Sequence, residues 1–289
     1  MALTTSRRLT IALIGLLSLL GVSACSSSTD TTATPTTAAD SCAKESLPTL
    51  EQGVLTIGTD KPAYEPWFKN DDPSNGEGFE SAVAYAVAQQ LGFTKDEVKW
   101  TVAPFNTVIA PGDKAFDFDI NQVSITEERK AAIDFSSGYY DVKQALVTLK
   151  GSKLANAKTL ADLKGAKLGG QVGTTSFKVI TDVIKPTQQP GAFDTNDIAK
   201  QALANGQIDG LILDLPTAFY VTAVELENGV IAGQFETTNT AEQFGLVLSK
   251  DSKLTSCVSK AVDALRADGT LAAIESQWLS QDVSAPVIK

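Results

Sequence analysis

The chain has 289 residues, 43% of them apolar and 20% charged, with 24 Lys and Arg against 34 Asp and Glu for a net charge of −10. That apolar share is that of a folded globular protein with room for two domains and argues against a disordered or fibrous chain, while the acidic balance disfavours nucleic acid as a partner. The lack of any histidine removes Ser-His-Asp and Cys-His catalysis, histidine metal sites and the usual near-neutral general base, leaving carboxylate, lysine or tyrosine chemistry open.

At the amino terminus Arg7 and Arg8 precede the apolar run "LTIALIGLLSLLG", and the small residues Val22 and Ala24 stand at −3 and −1 before Cys25. The run is shorter than the roughly 20 apolar residues of a spanning helix, so residues 1–24 read as an export signal, with an uncleaved anchor as the alternative. The arginine pair supports a twin-arginine route only weakly, because the rest of that motif is missing. A cysteine directly after "GVSA" resembles a bacterial lipoprotein signal, which implies that Cys25 becomes the diacylated first residue of the mature chain. Two acyl chains hold a protein stably where one does not, so the expected place is the cell envelope, anchored to the outer face of the cytoplasmic membrane.

Residues 25–44 contain "SSSTDTTATPTTAAD", too poor in large apolar groups to offset chain entropy, and are expected to form a flexible tether. Without Cys25 the cysteines are Cys42 and Cys257, an even pair in an oxidising compartment. A disulfide tying the start of the fold to a late helix is expected, with two buried thiols as the alternative.

The folded part opens with the strand "GVLTIGTD", followed by the helix "GFESAVAYAVAQQLG", whose apolar Phe79, Val83, Val87 and Leu91 share one face and whose stop is Gly92. Next comes "GDKAFDFDINQVSI", read as a helix end and an aspartate leading into an apolar strand. Then "NQVSITEERKAAIDFS" places Arg129 beside Glu127 and Glu128, a setting in which arginine is ordinarily a solvated charge. The stretch "DFSSGYYDVKQALVTLKGS" reads as a crossing into a second lobe that repeats the design: "GAKLGGQVGTT", a helix beginning near Thr175 and Ser176, and "NGQIDGLILDLPTA". The return strand is "NTAEQFGLVLSKDS", and the carboxyl end is two helices broken at Gly269. The lobes are therefore expected at 45–143 with 240–289, and at 144–239. Strands alternating with helices imply mostly parallel sheets whose ligands bind beyond the strands' carboxyl ends, where Thr59, Asp60, Ser124, Thr174, Thr175 and Asp214 fall.

Six stretches in order, "IGTDKPAYEPWF", "GFESAVAYAVAQQLG", "SITEERKAAIDFS", "LKGAKLGGQVGTTS", "GQIDGLILD" and "LRADGTLAAIESQW", together resemble the extracytoplasmic solute-binding proteins of polar amino acid ABC transporters, from Leu55 to Trp278. The resemblance implies an α/β, two-lobed periplasmic-binding-protein type II fold, each lobe a mostly parallel sheet flanked by helices, with two crossover strands as hinge. It implies a monomer without cofactor or catalysis that captures a polar amino acid and delivers it to an ABC permease. By the same resemblance Arg129 closes over the ligand's α-carboxylate with the Ser124 hydroxyl assisting, Thr175 donates to that carboxylate with Thr174 beside it, and Asp214 binds the α-ammonium. Tyr64 packs on the ligand's aliphatic part, with Trp67 nearby. The chemistry agrees at Arg129: a guanidinium matches a carboxylate bidentately where lysine does not, and a helix beginning near Thr126 adds partial positive charge. A phosphate loop at "VGTTS" is excluded, since no Gly-Lys-Ser/Thr follows.

Two features depart from the family pattern. Asn121 and Gln122 stand where small residues are common, and either hydrogen-bond a polar ligand side chain together with Asp60 or fill space behind the pocket. Pro111-Gly112 interrupts a stretch where a longer helix is usual. Two alternatives to transport are an enzyme on the same fold, dehydratase-like, with Asp60, Glu80 or Asp214 as acid or base, and a ligand-sensing surface lipoprotein.

Overall fold

A computed structural model describes residues 42–236, 241–279 and 284–289. The expected export signal, Cys25 and the tether as far as residue 41 lie outside the described residues. In chain order the elements are β1 (Leu55–Thr59), α1 (Phe79–Gln90), β2 (Val98–Val102), α2 (Phe105–Ile109), β3 (Phe118–Asp119), α3 (Glu127–Lys130), β4 (Ile133–Val142) and β5 (Gln144–Leu149). They continue with β6 (Leu168–Gln171), α4 (Thr175–Lys178), β7 (Gly191–Phe193), α5 (Asn196–Ala204), β8 (Gly210–Asp214), α6 (Leu215–Tyr220), β9 (Gly229–Phe235) and β10 (Glu242–Ser249). The last are α7 (Thr255–Ala267), α8 (Thr270–Trp278) and β11 (Val287–Ile288).

The strands form two sheets, one to each lobe, in the orders β2-β1-β3-β10-β4 and β11-β9-β5-β8-β6-β7. Both are mixed, with all strands but one in each running the same way: β1 runs parallel to β2 and β3, and β6 parallel to β7 and β8, while β10 and β5 are antiparallel to their neighbours. The cause is the connectivity. The chain passes between the lobes three times, from β4 to β5, from β9 to β10 and from α8 to β11; β5 runs against its later neighbours β8 and β9, and β10 runs against β3 and β4.

The carboxyl end corrects the expected lobe boundary. Residues 284–289 join the second sheet, not the first: β11 pairs with β9, Ile288 is buried with Leu146, Leu168 and Phe235, and the Lys289 N–H donates to the Lys158 carbonyl. The strand covers an edge whose backbone groups would otherwise lack partners.

In the first lobe α1 buries Phe79, Val83 and Val87 against Leu55, Ile57, Phe118 and the apolar face of α7, including Val258 and Val262. The helix starts at Gly78, whose φ is +94° and where a Cβ would stand 2.5 Å from the Trp67 carbonyl oxygen, so only glycine serves. Gly92 ends it in the left-handed region at φ +87°. In the second lobe one cluster joins α5 and α6 to one face of the sheet, and another packs Leu154, Leu163, Ile180 and Ile184 on the other. Cys42 and Cys257 are joined by a disulfide, the latter 8% exposed on α7.

The segment "GDKAFDFDI" contains no helix: α2 stops at Ile109, Ala110 turns extended (ψ 153°) before Pro111, and Gly112 has φ +111°. Proline disfavours α geometry in its predecessor and cannot donate, so the chain reaches β3 as irregular backbone. The helix expected from Thr126 is present, capped by Thr126 Oγ1 accepting from the Arg129 N–H at 3.2 Å, but α3 has only four residues. Its partial charge is correspondingly small.

Candidate functional site

Between the lobes, Asp60, Tyr64, Phe105, Asn121, Gln122, Ser124 and Arg129 from the first face Gln171, Thr174, Thr175, Ser176, Asn196 and Asp214 from the second around a cavity of ≈ 40 Å³. Nine of the ten expected ligand-binding residues are thereby brought to one place; Trp67 is not.

Arg129 leaves α3 toward this cavity and is 8% exposed. Its Nη1 donates to the Ser124 carbonyl at 2.7 Å, its Nη2 crosses the cleft to the Gly173 carbonyl at 3.0 Å, and the guanidinium lies 5.4 Å from the centre of the Phe105 ring. Among the described residues no carboxylate stands within ion-pair distance of it, so a buried cation is held by neutral acceptors alone. Burial lowers its pKa from the ordinary value, while Glu242, Asp214 and Glu128 act in the opposite direction.

Asp214 ends β8 on the opposite wall. Its Oδ1 accepts from Gln144 Nε2 at 2.6 Å, and burial, then the neighbouring Glu242, push its carboxyl up to about 8. Gln144 is fixed in turn by Ser176, whose hydroxyl donates to Gln144 Oε1 at 2.6 Å. Thr175 Oγ1 lies 3.3 Å from Ser124 Oγ, across the cleft. Thr174 is occupied locally: its hydroxyl caps α4 by accepting from the Phe177 N–H at 3.0 Å and donates to the Gln171 carbonyl at 2.7 Å.

Asp60 follows β1 and accepts from the backbone N–H groups of Lys61 at 2.7 Å and Phe105 at 3.1 Å. Asn121 is 7% exposed, and its Nδ2 is buried with no partner among the described residues, an open donor beside the cavity. Tyr64 also lines the cavity; its buried hydroxyl faces Asp197, with no hydrogen bond of ordinary geometry between them, and burial ahead of Asp197 raises its pKa.

Gln122 departs from the expectation that its amide serves a ligand side chain. Its backbone N–H donates to Glu80 Oε1 at 2.7 Å and its Nε2 to Glu80 Oε2, and the residue sits at φ +46°. Tyr139 donates its hydroxyl to the same carboxyl group. Glu80 is fully buried, which pushes it up to about 7 while these three donors work against that rise. The Gln122 amide is thus turned behind the pocket to serve a carboxyl group that water cannot reach.

Trp67 is fully buried in the first lobe's core, edge-on to Phe79, Tyr140 and Phe244, and its Nε1 donates to Thr217 Oγ1 of α6 at 2.9 Å. Its role is packing and a contact between lobes, not the ligand surface expected. With Arg129 to Gly173, Ser124 to Thr175 and the Lys178–Glu128 ion pair, it holds the lobes together.

Two polar residues of the site carry no motif: Gln144, the first residue of β5, and Glu242, the first of β10. Their signal was a polar side chain at the mouth of each stretch read as a crossover, "KQALVTL" and "AEQFGLVLS". A larger groove of ≈ 730 Å³ lies on the second lobe near Leu149 and Leu203, but its charged groups, Lys150, Lys153, Asp162 and Asp209, are all exposed. The interlobe cavity, by contrast, brings the buried Arg129 and the half-buried Asp214 to opposite walls of one space.

The profile of the bacterial extracellular solute-binding proteins, family 3, matches residues 55–281. The L-cystine-binding protein TcyJ of Escherichia coli (strain K12) is 31% identical over 237 residues, covering 81% of this chain and 85% of its own. An L-arginine-binding protein of Pseudomonas aeruginosa is 28% identical over 254 residues, 82% of this chain and 96% of its own. Among solved structures, an ancestral arginine-binding protein bound to arginine superposes with a TM-score of 0.66 at 32% identity, over 79% of this chain and 99% of that one.

Proposed function

The chain belongs to the bacterial extracellular solute-binding proteins of family 3, and from that premise we propose that it captures a polar amino acid between its lobes and, lipid-anchored through Cys25, delivers it to an ABC transporter permease. The observation that carries this reading is the pairing of Arg129 with Asp214 on opposite walls of one cavity. A zwitterion brings a carboxylate to the first and an ammonium to the second, and so makes contacts with both lobes that exist only when they are closed. Ser124 and Thr175 add hydroxyls for the carboxylate, while Tyr64, Asn121 and Asp60 surround the side chain. Residues 45–143 with 242–279 then act as one jaw and 144–236 with the carboxyl-terminal strand as the other.

The named relatives are binding proteins, which favours capture over turnover. The dehydratase-like alternative loses one of its candidate acids, because Glu80 is fully buried behind Gln122.

The test is calorimetric titration of the soluble protein from Ser26 onward, freed of copurified ligand, with the twenty amino acids. Micromolar or tighter binding of a polar amino acid is the expected result, and no binding across the panel overturns the proposal. The same titrations report on Asp214. Its carboxyl, raised to about 8 in the ligand-free cleft, must ionise to meet an ammonium, so binding releases up to one proton per ligand between the lower pKa of the complex and pH 8. Affinity therefore falls as pH drops below about 8 and levels off above it. The charged and titratable neighbours are Glu242, Glu80 and Arg129, with Tyr139 and Tyr140 behind them. Heats that do not depend on the ionisation enthalpy of the buffer at pH 7 would contradict this assignment.

A further inference from the structure

Glu242 stands opposite Val142 in the register that joins β10 to β4. Its Oε1 accepts from the Ser124 hydroxyl at 2.5 Å, and both carboxylate oxygens are 3.3 Å from Gln144 Nε2. That same nitrogen donates to Asp214 Oδ1 at 2.6 Å, while Ser124 Oγ faces Thr175 Oγ1 at 3.3 Å. A carboxylate from the return strand thus occupies one of the hydroxyls assigned to the ligand's carboxylate. Through one amide it is tied to the group assigned to the ligand's ammonium.

We propose that Glu242 is a charge-selecting residue of the cleft, favouring amino acids with a cationic side chain over neutral ones and disfavouring acidic ones most. The inference rests on the amino acid capture proposed above and specifies its ligand class. An entering α-carboxylate needs the Ser124 hydroxyl, so Glu242 must yield or share that donor, and its charge stays at the hinge side of the cleft. When an ammonium has displaced the Asp214 proton, Asp60, Asp214 and Glu242 face the single guanidinium of Arg129. A ligand with a neutral side chain adds no net charge, leaving two carboxylates uncompensated. A cationic side chain compensates one of them, and an acidic side chain adds another. Lobe closure excludes water from the site, and charges a few ångströms apart interact far more strongly there than in bulk solvent.

The experiment compares L-arginine, L-glutamine and L-glutamate by calorimetric titration of the wild-type protein and of Glu242→Gln, which keeps the shape and an acceptor for Ser124 but removes the charge. The wild type is expected to bind arginine most tightly and glutamate least. In Glu242→Gln the ratio of glutamine to arginine dissociation constants should contract about tenfold or more, and Glu242→Asp should keep the wild-type order. A ratio unchanged within about twofold in a folded Glu242→Gln protein overturns the inference while leaving amino acid capture intact. A wild-type protein that prefers glutamine or glutamate to arginine overturns it without any variant, and one that binds no amino acid overturns the capture reading along with it.

Discussion

Arg129→Met is expected to weaken ligand binding by about 3–5 kcal/mol, enough to turn a micromolar dissociation constant into a roughly millimolar one. The guanidinium is 8% exposed, without a carboxylate partner among the described residues, and already turned toward the cavity by its bonds to the Ser124 and Gly173 carbonyls. A ligand carboxylate would supply the missing countercharge in a place shielded from water, where paired hydrogen bonds between ions are strong. Methionine keeps the length of the side chain but none of its donors, so the ligand carboxylate would be buried with its main partner gone. Lysine should restore part of the affinity only, having a point charge in place of a planar fork. A decarboxylated analogue separates this effect from general damage: it should bind the wild type weakly and lose little more in Arg129→Met. Equal dissociation constants for wild type and variant would refute the assignment, and a thermal unfolding curve of the variant would show whether the two freed carbonyls matter to the fold.

Removing the link between Cys42 and Cys257 should lower stability by about 4–5 kcal/mol, or roughly 10–20 °C in the unfolding midpoint. The two cysteines are 215 positions apart, and Cys257 lies in the first lobe's core with Val258, Ala261 and Val262. In the chain-entropy account a cross-link over so long a loop removes a large share of the unfolded ensemble, although measured gains often fall short of that account. The measurement is denaturant unfolding of the soluble protein and of the double variant Cys42→Ser, Cys257→Ser. Peptide mapping without reduction should find the two cysteines in one linked pair. Coincident unfolding curves would show that the bond contributes nothing, and two freely alkylated thiols would show that it does not form.

The main elements of the fold were legible in sequence because each lobe repeats a local pattern, an apolar strand, a turn and a helix, which in the first lobe ends at a glycine stop. Phe79, Val83 and Val87 announce α1 by spacing alone, and Gly269 announces the break between α7 and α8, where it takes φ +83°. The antiparallel strands and the placement of β11 were not legible. Sheet partners are chosen by segments far apart in the chain, and a two-residue strand leaves no periodic signal.

The binding cleft divides in the same way. Motifs carry Ser124, Arg129, Thr175 and Asp214: Thr175 begins α4, Asp214 ends β8, and Ser124 and Arg129 flank and occupy the short helix α3. The sequence by itself determined the acidic, histidine-free chemistry, the two repeated lobes and the family to which they belong. Only the tertiary structure decided that Trp67 is buried in the core with its N–H on Thr217, that Gln122 serves Glu80, and that Gln144 and Glu242 enter the site from the crossover strands. The physical reason is that burial and hydrogen-bond partners are set by atoms 42 to 150 positions away along the chain, and a polar side chain goes to whichever neighbour most needs its donor or acceptor once water is excluded.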